Sequence, residues 1–340
     1  MNTIGEEPVG EEARLLCRAD RLELVSSILN GKQGMAGSSA SERARSLAAQ
    51  PLEAFGLSEG FVRGTAQSYR AIWAHRDLLF LLVKRELRAR YKNSALGILW
   101  SLVRPLAQLL IYYFAIGQIL GVARSIPNFA IFVFVGLTAW TLFTEIVSNG
   151  TTSIVANSGL VKKVYLPREI FPLSSVGGAL FSFGVQFVIL IGATIVLGQF
   201  PWSANLATAV PAFIVILLFG TGLGILLGGL NVYFRDLEHL AEVALVVLFW
   251  ASPIVYSFSY VHNFLQGGLL EQIYLLNPIT LGILGMQKAF WLSGSVDSTA
   301  MNWPPDLDLR LWIALLVGVV FVWLCQRVFS RVQGDFAQEL

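Results

Sequence analysis

Charge is scarce in this sequence. Of its 340 residues only 14% are Asp, Glu, Lys or Arg, and the formal net charge is +2. Recognition of nucleic acid needs basic residues gathered into a patch or stripe, and here they sit at the edges of apolar runs, so no nucleic-acid partner is expected. Cysteine is nearly absent. Cys17 and Cys325 stand far apart, which gives neither a disulfide framework nor metal-ligand spacing. The three histidines, His75, His239 and His262, have no companions at zinc spacing. A phosphate loop of the form GxxxxGKS/T is missing too; the Gly31-Lys32 pair is followed by Gln33 in a linker-like stretch, so the chain is expected to carry no cofactor and not to hydrolyse ATP. The opening residues MNTIGEEPVGEEAR are acidic where a secretion signal would be basic and then apolar, and the amino terminus is expected to stay in the cytoplasm.

What the sequence has instead is apolar length. It is 55% hydrophobic with a mean hydropathy of +0.64, too little polar surface for a soluble domain, and the expected fold is an all-α polytopic membrane protein. Six runs reach or approach spanning length: Leu96 to Leu120, Phe129 to Val147, Phe171 to Leu197, Ala209 to Val232, Leu240 to Phe258 and Leu309 to Phe329. About eleven Lys or Arg lie near one face of such an arrangement, against about three at the other, namely Arg124, Lys288 and Arg310. Short basic loops remain in the cytoplasm, so both termini are expected inside. Residues 1–66 read as a disordered cytoplasmic extension, 67–93 as an amphipathic interface helix, 94–334 as a six-span transmembrane domain, and 335–340 as a short cytoplasmic tail. In 67–93, Asp77 is an expected N-cap, Glu86 and Arg90 form an i,i+4 pair, and Lys84, Arg85, Arg88 and Arg90 face anionic headgroups. Within 258–308, the stretch from Leu269 to Leu292 is nearly long enough to span, but Glu271, Gln272, Asn277, Pro278, Gln287 and Lys288 interrupt it. A re-entrant hairpin at the outer face satisfies both its backbone and the topology.

One stretch stands out between two long apolar runs, Asn157 to Pro172, reading NSGLVKKVYLPREIFP. Lys162, Lys163, Arg168 and Glu169 cannot lie in hydrocarbon without cost, and Pro167 and Pro172 stiffen the turn. A solvated loop that only sets topology would need no more than its positive charge. With GLTAWTLFTEIVSNGTTSIVAN before it, NVYFRDLEHL further on, and RELRARYK followed by LGILWSLVRPL earlier, the segment resembles the signature of the membrane subunits of type-2 ABC exporters of polysaccharides or teichoic acids. The resemblance runs from about Leu78 to the carboxyl end. It implies that Val161, Lys162, Lys163, Tyr165, Leu166, Pro167, Arg168 and Glu169 form the element that couples to a separate ATPase. It further implies a second inner contact at Arg235, Asp236 and Glu238, and an interface helix carrying Arg85, Glu86, Arg88 and Arg90. The partners it implies are two copies of an ABC ATPase holding ATP and Mg, a second copy of this chain, membrane lipids and a lipid-linked glycan such as O-antigen, capsule, teichoic acid or a cell-wall glycan. The place it implies is the bacterial cytoplasmic membrane.

Aromatic residues form 12% of the chain. Trp100, Tyr112, Tyr113, Trp140 and Phe143 are candidates to line a glycan path, because sugar C–H faces stack on rings. Gly220, Gly224 and Gly228 repeat at four-residue spacing and admit a close helix neighbour. Asp306-Leu307-Asp308 has the DxD form of a metal-bound sugar-nucleotide site, but it falls on the expected outer side, away from cytosolic sugar nucleotides. Three other readings compete: an exporter of a lipid or drug, a secondary transporter, and a membrane glycan enzyme. A secondary transporter needs ionisable groups deep in its spans, and the candidates, Arg104, Glu145 and Glu242, each fall near an expected end. An enzyme needs catalytic groups gathered at one face.

Overall fold

The computed structural model describes residues 68, 70–91, 100–162, 166–296 and 302–340; the amino-terminal extension falls outside them. Among the described residues the regular elements are all helices. They are α1 (Arg76–Tyr91), α2 (Trp100–Tyr112), α3 (Phe129–Ala156), the short α4 (Ser158–Val161), α5 (Ile170–Val196), α6 (Ala209–Leu230) and α7 (Leu237–Trp250). Beyond these come α8 (Phe258–Leu265), α9 (Leu269–Leu275), α10 (Pro278–Phe290), α11 (Leu292–Val296), α12 (Leu307–Val332) and α13 (Phe336–Glu339).

Among the described residues four helices are long and apolar enough to cross a membrane: α3, α5, α6 with the 3-10 turn before it, and α12. Counting α9 and α10 as one bent span makes five. Two of the six expected runs depart from simple spans. The first contains Pro105 inside α2 and passes from Tyr112 directly into a seven-residue π-helix, Tyr113–Ile119; residues 96–99 lie outside the described set. The run expected from Leu240 to Phe258 holds only the 14 residues of α7, about 21 Å of helix. Pro253 cannot donate to the helix and its ring clashes with the carbonyl four residues back, which ends α7 at Trp250 and leaves 251–257 non-helical.

The break foreseen around Asn277-Pro278 is present. The Asn277 side chain accepts a hydrogen bond from the Ile279 amide at 3.0 Å, and Pro278 occupies the first turn of α10, where a missing N–H costs nothing. The two halves meet at 79°. Asp77 is a first-turn residue and not the cap, because α1 already begins at Arg76; its charge still favours the positive end of the helix.

The core is built around α3, which buries side chains from Phe129 to Ile154 and packs against α5, α6 and α10. The glycine spacing in α6 is explained by this contact. A Cβ placed on Gly228 would stand 2.6 Å from the Gly150 carbonyl oxygen, and one on Gly150 would stand 2.8 Å from the Gly224 Cα. Backbone therefore meets backbone between α3 and α6. The outer side of α12 is the contrast: Leu309, Trp312, Leu316 and Val320 are all more than half exposed, as a surface facing lipid requires.

Candidate functional site

A second, smaller hydrophobic cluster lies apart from the main core and draws on every stretch that the sequence marks as a contact for an ATPase. Leu82 from α1, Ile154 from the end of α3, Val161 from α4, and Ile170 and Phe171 from the start of α5 are buried in it. So are Ile225 and Val232 from the end of α6, and Phe329 and Phe336 from the carboxyl end. Four stretches distant in sequence, around 82, 154–171, 225–232 and 329–336, are thereby brought to one end of the molecule. Their apolar residues face inward and their charged neighbours form the rim.

The island from Asn157 to Pro172 is pinned to this cluster at several points. Asn157, which follows α3, accepts a hydrogen bond from the Arg85 guanidinium of α1. Val161 is buried while Lys162 is exposed. Arg168 lies over the ring of Phe336 at 5.3 Å, a cation–π contact. Lys163 and Tyr165 lie outside the described residues; Leu166 and Pro167 are half-buried. Glu169 departs from expectation. It is only 3% exposed, so it does not project outward to meet a partner's charge. Burial pushes its carboxyl above the usual range, opposed by its own backbone amide, the neighbouring Gln326 amide and Arg168. The turn that starts α5 at Ile170 carries Glu169 inward against α12.

The second loop presents its tip outward. Arg235 and Asp236 are exposed and Glu238 is half-buried. Sequence reasoning missed Phe234, which is 66% exposed beside them and supplies the apolar group that a charged loop otherwise lacks. Its neighbour Tyr233 holds the loop, donating from its hydroxyl to the Val332 carbonyl at 2.8 Å and meeting Phe336 edge to face. Phe336 is fully buried and Leu340 packs on the cluster. Phe336 and Leu340 thus enter the fold as a wedge, while Gln338 and Glu339 between them are exposed.

On α1, Arg85 and Arg88 are exposed and Glu86 is half-buried, 3.8 Å from Arg90 as the i,i+4 spacing predicts. Arg90 turns away from the rim to Glu145 and Ser182. Phe80 and Leu81 on the same helix are more than half exposed, which suits an element that touches lipid.

The aromatic candidates separate. Tyr112 stacks on Phe249 at 5.8 Å, Trp140 meets Phe249 edge to face at 5.6 Å and Phe143 at 5.7 Å. Phe249, which joins the group, was not among the candidates. Phe143 is fully buried and Trp140 is 8% exposed, so these two are packing residues in this conformation. Tyr113 lies beside Phe114, and the Trp100 side chain is outside the described residues.

The opposite end is closed by polar ties. Asp306 pairs with Arg310 at 2.7 Å and Asp308 with Lys288 at 2.8 Å, so both acids of the DxD sequence are engaged by cations. Arg310 also reaches the Gln272 side chain at 2.8 Å, linking α12 to α9. Glu271 is buried and accepts from the Gly267 amide at 2.8 Å, with the His262 ring at 3.1 Å. Groups of His, Cys, Asp and Glu able to hold a metal are absent among the described residues.

Residues 77–291, which run from α1 through the bent pair, match the ABC-2 type transporter family. The chain belongs to that family. Its ABC-2 domain therefore includes the rim of α1, the island before α5, the loop before α7 and the bent pair at the other end. Among its relatives, the O-antigen export system permease protein RfbA of Myxococcus xanthus is 30% identical over 272 residues, covering 80% of this chain and 98% of that protein. An RfbA permease of Klebsiella pneumoniae is 31% identical over 265 residues, covering 78% and 95%. The capsule polysaccharide export inner-membrane protein CtrC of Neisseria meningitidis is 24% identical over 250 residues, covering 71% and 88%.

Proposed function

We propose that this chain is the permease subunit of an ABC exporter that carries a lipid-linked polysaccharide, of the O-antigen or capsule kind, across the bacterial cytoplasmic membrane. The observation that carries the reading is the alignment with O-antigen export permeases over nearly their whole length. ATP and Mg belong to a separate ATPase, present in two copies, and this chain pairs with a second copy of itself. Both termini and the hydrophobic cluster of Leu82, Val161 and Phe329 lie on the cytoplasmic side. Six crossings are made, two by the irregular segments around α2 and α7. The bent pair α9–α10 re-enters from the outer face, and α1 lies against the ATPase-facing end.

In this reading Lys162, Lys163, Tyr165 and Leu166 meet one part of the ATPase, and Phe234, Arg235 and Asp236 another. Motion of the partner is delivered to the shared apolar cluster, which joins the ends of α3, α5, α6 and α12. Close packing transmits displacement because such interiors yield little. Exposed aromatic and apolar groups ringed by charge are the composition that interface centres favour.

Depletion of the chain is expected to leave lipid-linked glycan on the cytoplasmic side, and co-expression with the ATPase is expected to restore export. Normal surface glycan in depleted cells would overturn the assignment. The orientation is tested by single cysteines in place of Lys162 and Trp202. The first is expected to be labelled only from the cytoplasm and the second only from outside, and the reverse pattern refutes the topology.

A further inference from the structure

An ionic cluster joins α1 to the flanks of two long helices, partly exposed and away from the rim that the coupling scheme above uses. The Arg90 guanidinium donates to Glu145 of α3 at 3.1 Å and to Ser182 of α5 at 3.1 Å, with Glu86 of its own helix 3.8 Å away. One side chain of α1 thus holds two membrane-crossing helices at once.

Its depth follows from helix geometry. Glu145 precedes the end of α3 at Ala156 by eleven residues, about 16 Å. Ser182 follows the start of α5 at Ile170 by twelve residues, about 18 Å. The 28 residues of α3 make about 42 Å of helix, some 12 Å more than the hydrocarbon layer. Even if all that excess protruded at the cytoplasmic end, Glu145 would still stand within the layer. Expected near a span end from the sequence, it is therefore an intramembrane carboxylate. Charged groups at such depth are costly and are kept where they are paired and used.

The packing around the cluster makes α1 a stiff arm. Gly177 and Gly178 of α5 lie against Val83 and Glu86 of α1, and an added Cβ on Gly177 would stand 2.6 Å from the Val83 side chain. Lower down, Arg85 is tied to Asn157 where α3 ends. So α1 is joined to α3 at two levels, once at the rim and once inside the membrane. A push on the exposed part of α1 cannot slide it along α5 without breaking the Arg90 contacts.

We infer that Arg90 and Glu145 form a positioning pair, through which movement of α1 reaches the interior of α3 directly, in parallel with the island before α5. This rests on the exporter reading. The pair does not contact nucleotide or glycan; it sets where α3 stands when the partner moves. The guanidinium suits the task, because the two N–H bonds of its Nη1 are fixed in the plane of the group and reach the carboxylate and the hydroxyl together, whereas an ammonium rotates freely.

The test uses the full chain with its ATPase in vesicles supplied with the lipid-linked glycan that accumulates in depleted cells, and it measures glycan moved per ATP hydrolysed. Arg90→Ala and Glu145→Ala are each expected to reach the membrane and bind the ATPase while that ratio falls about tenfold, a loss smaller than for a fully buried pair because both groups are partly exposed. The exchange Arg90→Glu with Glu145→Arg is expected to recover much of it. Arg90→Lys, which keeps the charge and loses the fixed plane, is expected at wild-type membrane levels with an intermediate ratio. An unchanged ratio in the single variants, or an exchange no better than they are, overturns the inference. Should the alanine variants fail to accumulate while Arg90→Lys keeps the wild-type ratio, the pair is a structural brace only and the inference is equally overturned. A wild-type complex that moves no glycan refutes the exporter reading instead.

Discussion

Gly228→Ala tests the packing on which the transmembrane body depends. The added methyl would stand 2.6 Å from the Gly150 carbonyl oxygen, where ordinary contact begins at 3.4 Å. The obstructing atom is backbone, so no side chain can rotate away, and α3 and α6 must separate by about 0.8 Å at that level. A gap of about 0.5–1 Å forfeits a quarter to a half of each dispersion contact, and overpacked sites cost about 1–3 kcal/mol. At about 2–4 °C per kcal/mol, the melting midpoint should fall by about 2–12 °C. Cys325 is buried in α12, so a thiol-reactive dye reports opening directly in a Cys17→Ser background. Gly192→Ala is the control. It adds the same methyl in α5, where nothing lies within 4 Å, and helix propensity favours alanine by about 1 kcal/mol; its midpoint should hold or rise. A Gly228→Ala midpoint equal to wild type would refute the backbone contact between α3 and α6.

Tyr165→Ala with Leu166→Ala keeps every basic residue of the island, so insertion should be normal while export and ATPase association are lost; survival of both at normal protein levels would reduce the island to a topology signal. Phe234→Ala is expected to weaken co-purification of the ATPase without lowering thermal stability, because the ring is exposed, and unchanged recovery would remove the loop from the docking surface. The isolated chain should show no saturable ATP binding, and a binding isotherm from this subunit alone would contradict the assignment. Glu169 gives a pH signature. Burial raises its pKa, so the folded state holds the proton more readily than the unfolded one, and stability falls as pH rises from the ordinary carboxyl range through the raised value. Glu169→Gln stays neutral and should flatten that decline in melting midpoint; identical pH profiles for the two proteins would refute it.

Much of this was legible in the order of residues. The break at Asn277-Pro278 followed from a capping side chain and a proline, the close approach of α6 from its glycines, and the Glu86–Arg90 pair from i,i+4 spacing. Those signals are local, and local geometry decides them. What escaped depended on the neighbour. Gly150 carries no mark in the sequence that it receives Gly228. Glu145 looked like an end residue because a hydropathy run does not show that α3 continues to Ala156. Arg90 looked outward like Arg88, and only the positions of α3 and α5 turn it toward Glu145 and Ser182. Composition counts 251–257 as part of an apolar run, whereas Pro253 closes the helix before it. Glu169 was read by its charge, and its burial follows from where α12 stands.

The smaller hydrophobic cluster has a consequence for the order in which the protein is made. Its members enter the membrane at different times, with Leu82 among the first and Phe336 among the last. Domains form from the amino end as synthesis proceeds, yet this one lacks its wedge until α12 is inserted. Until then, Tyr233 has no Val332 carbonyl to bond and Arg168 no Phe336 ring to cover. A nascent or truncated chain therefore exposes its basic island without the support that shapes it. Under the proposed exporter reading, the surface offered to the ATPase is complete only once α12 has been inserted.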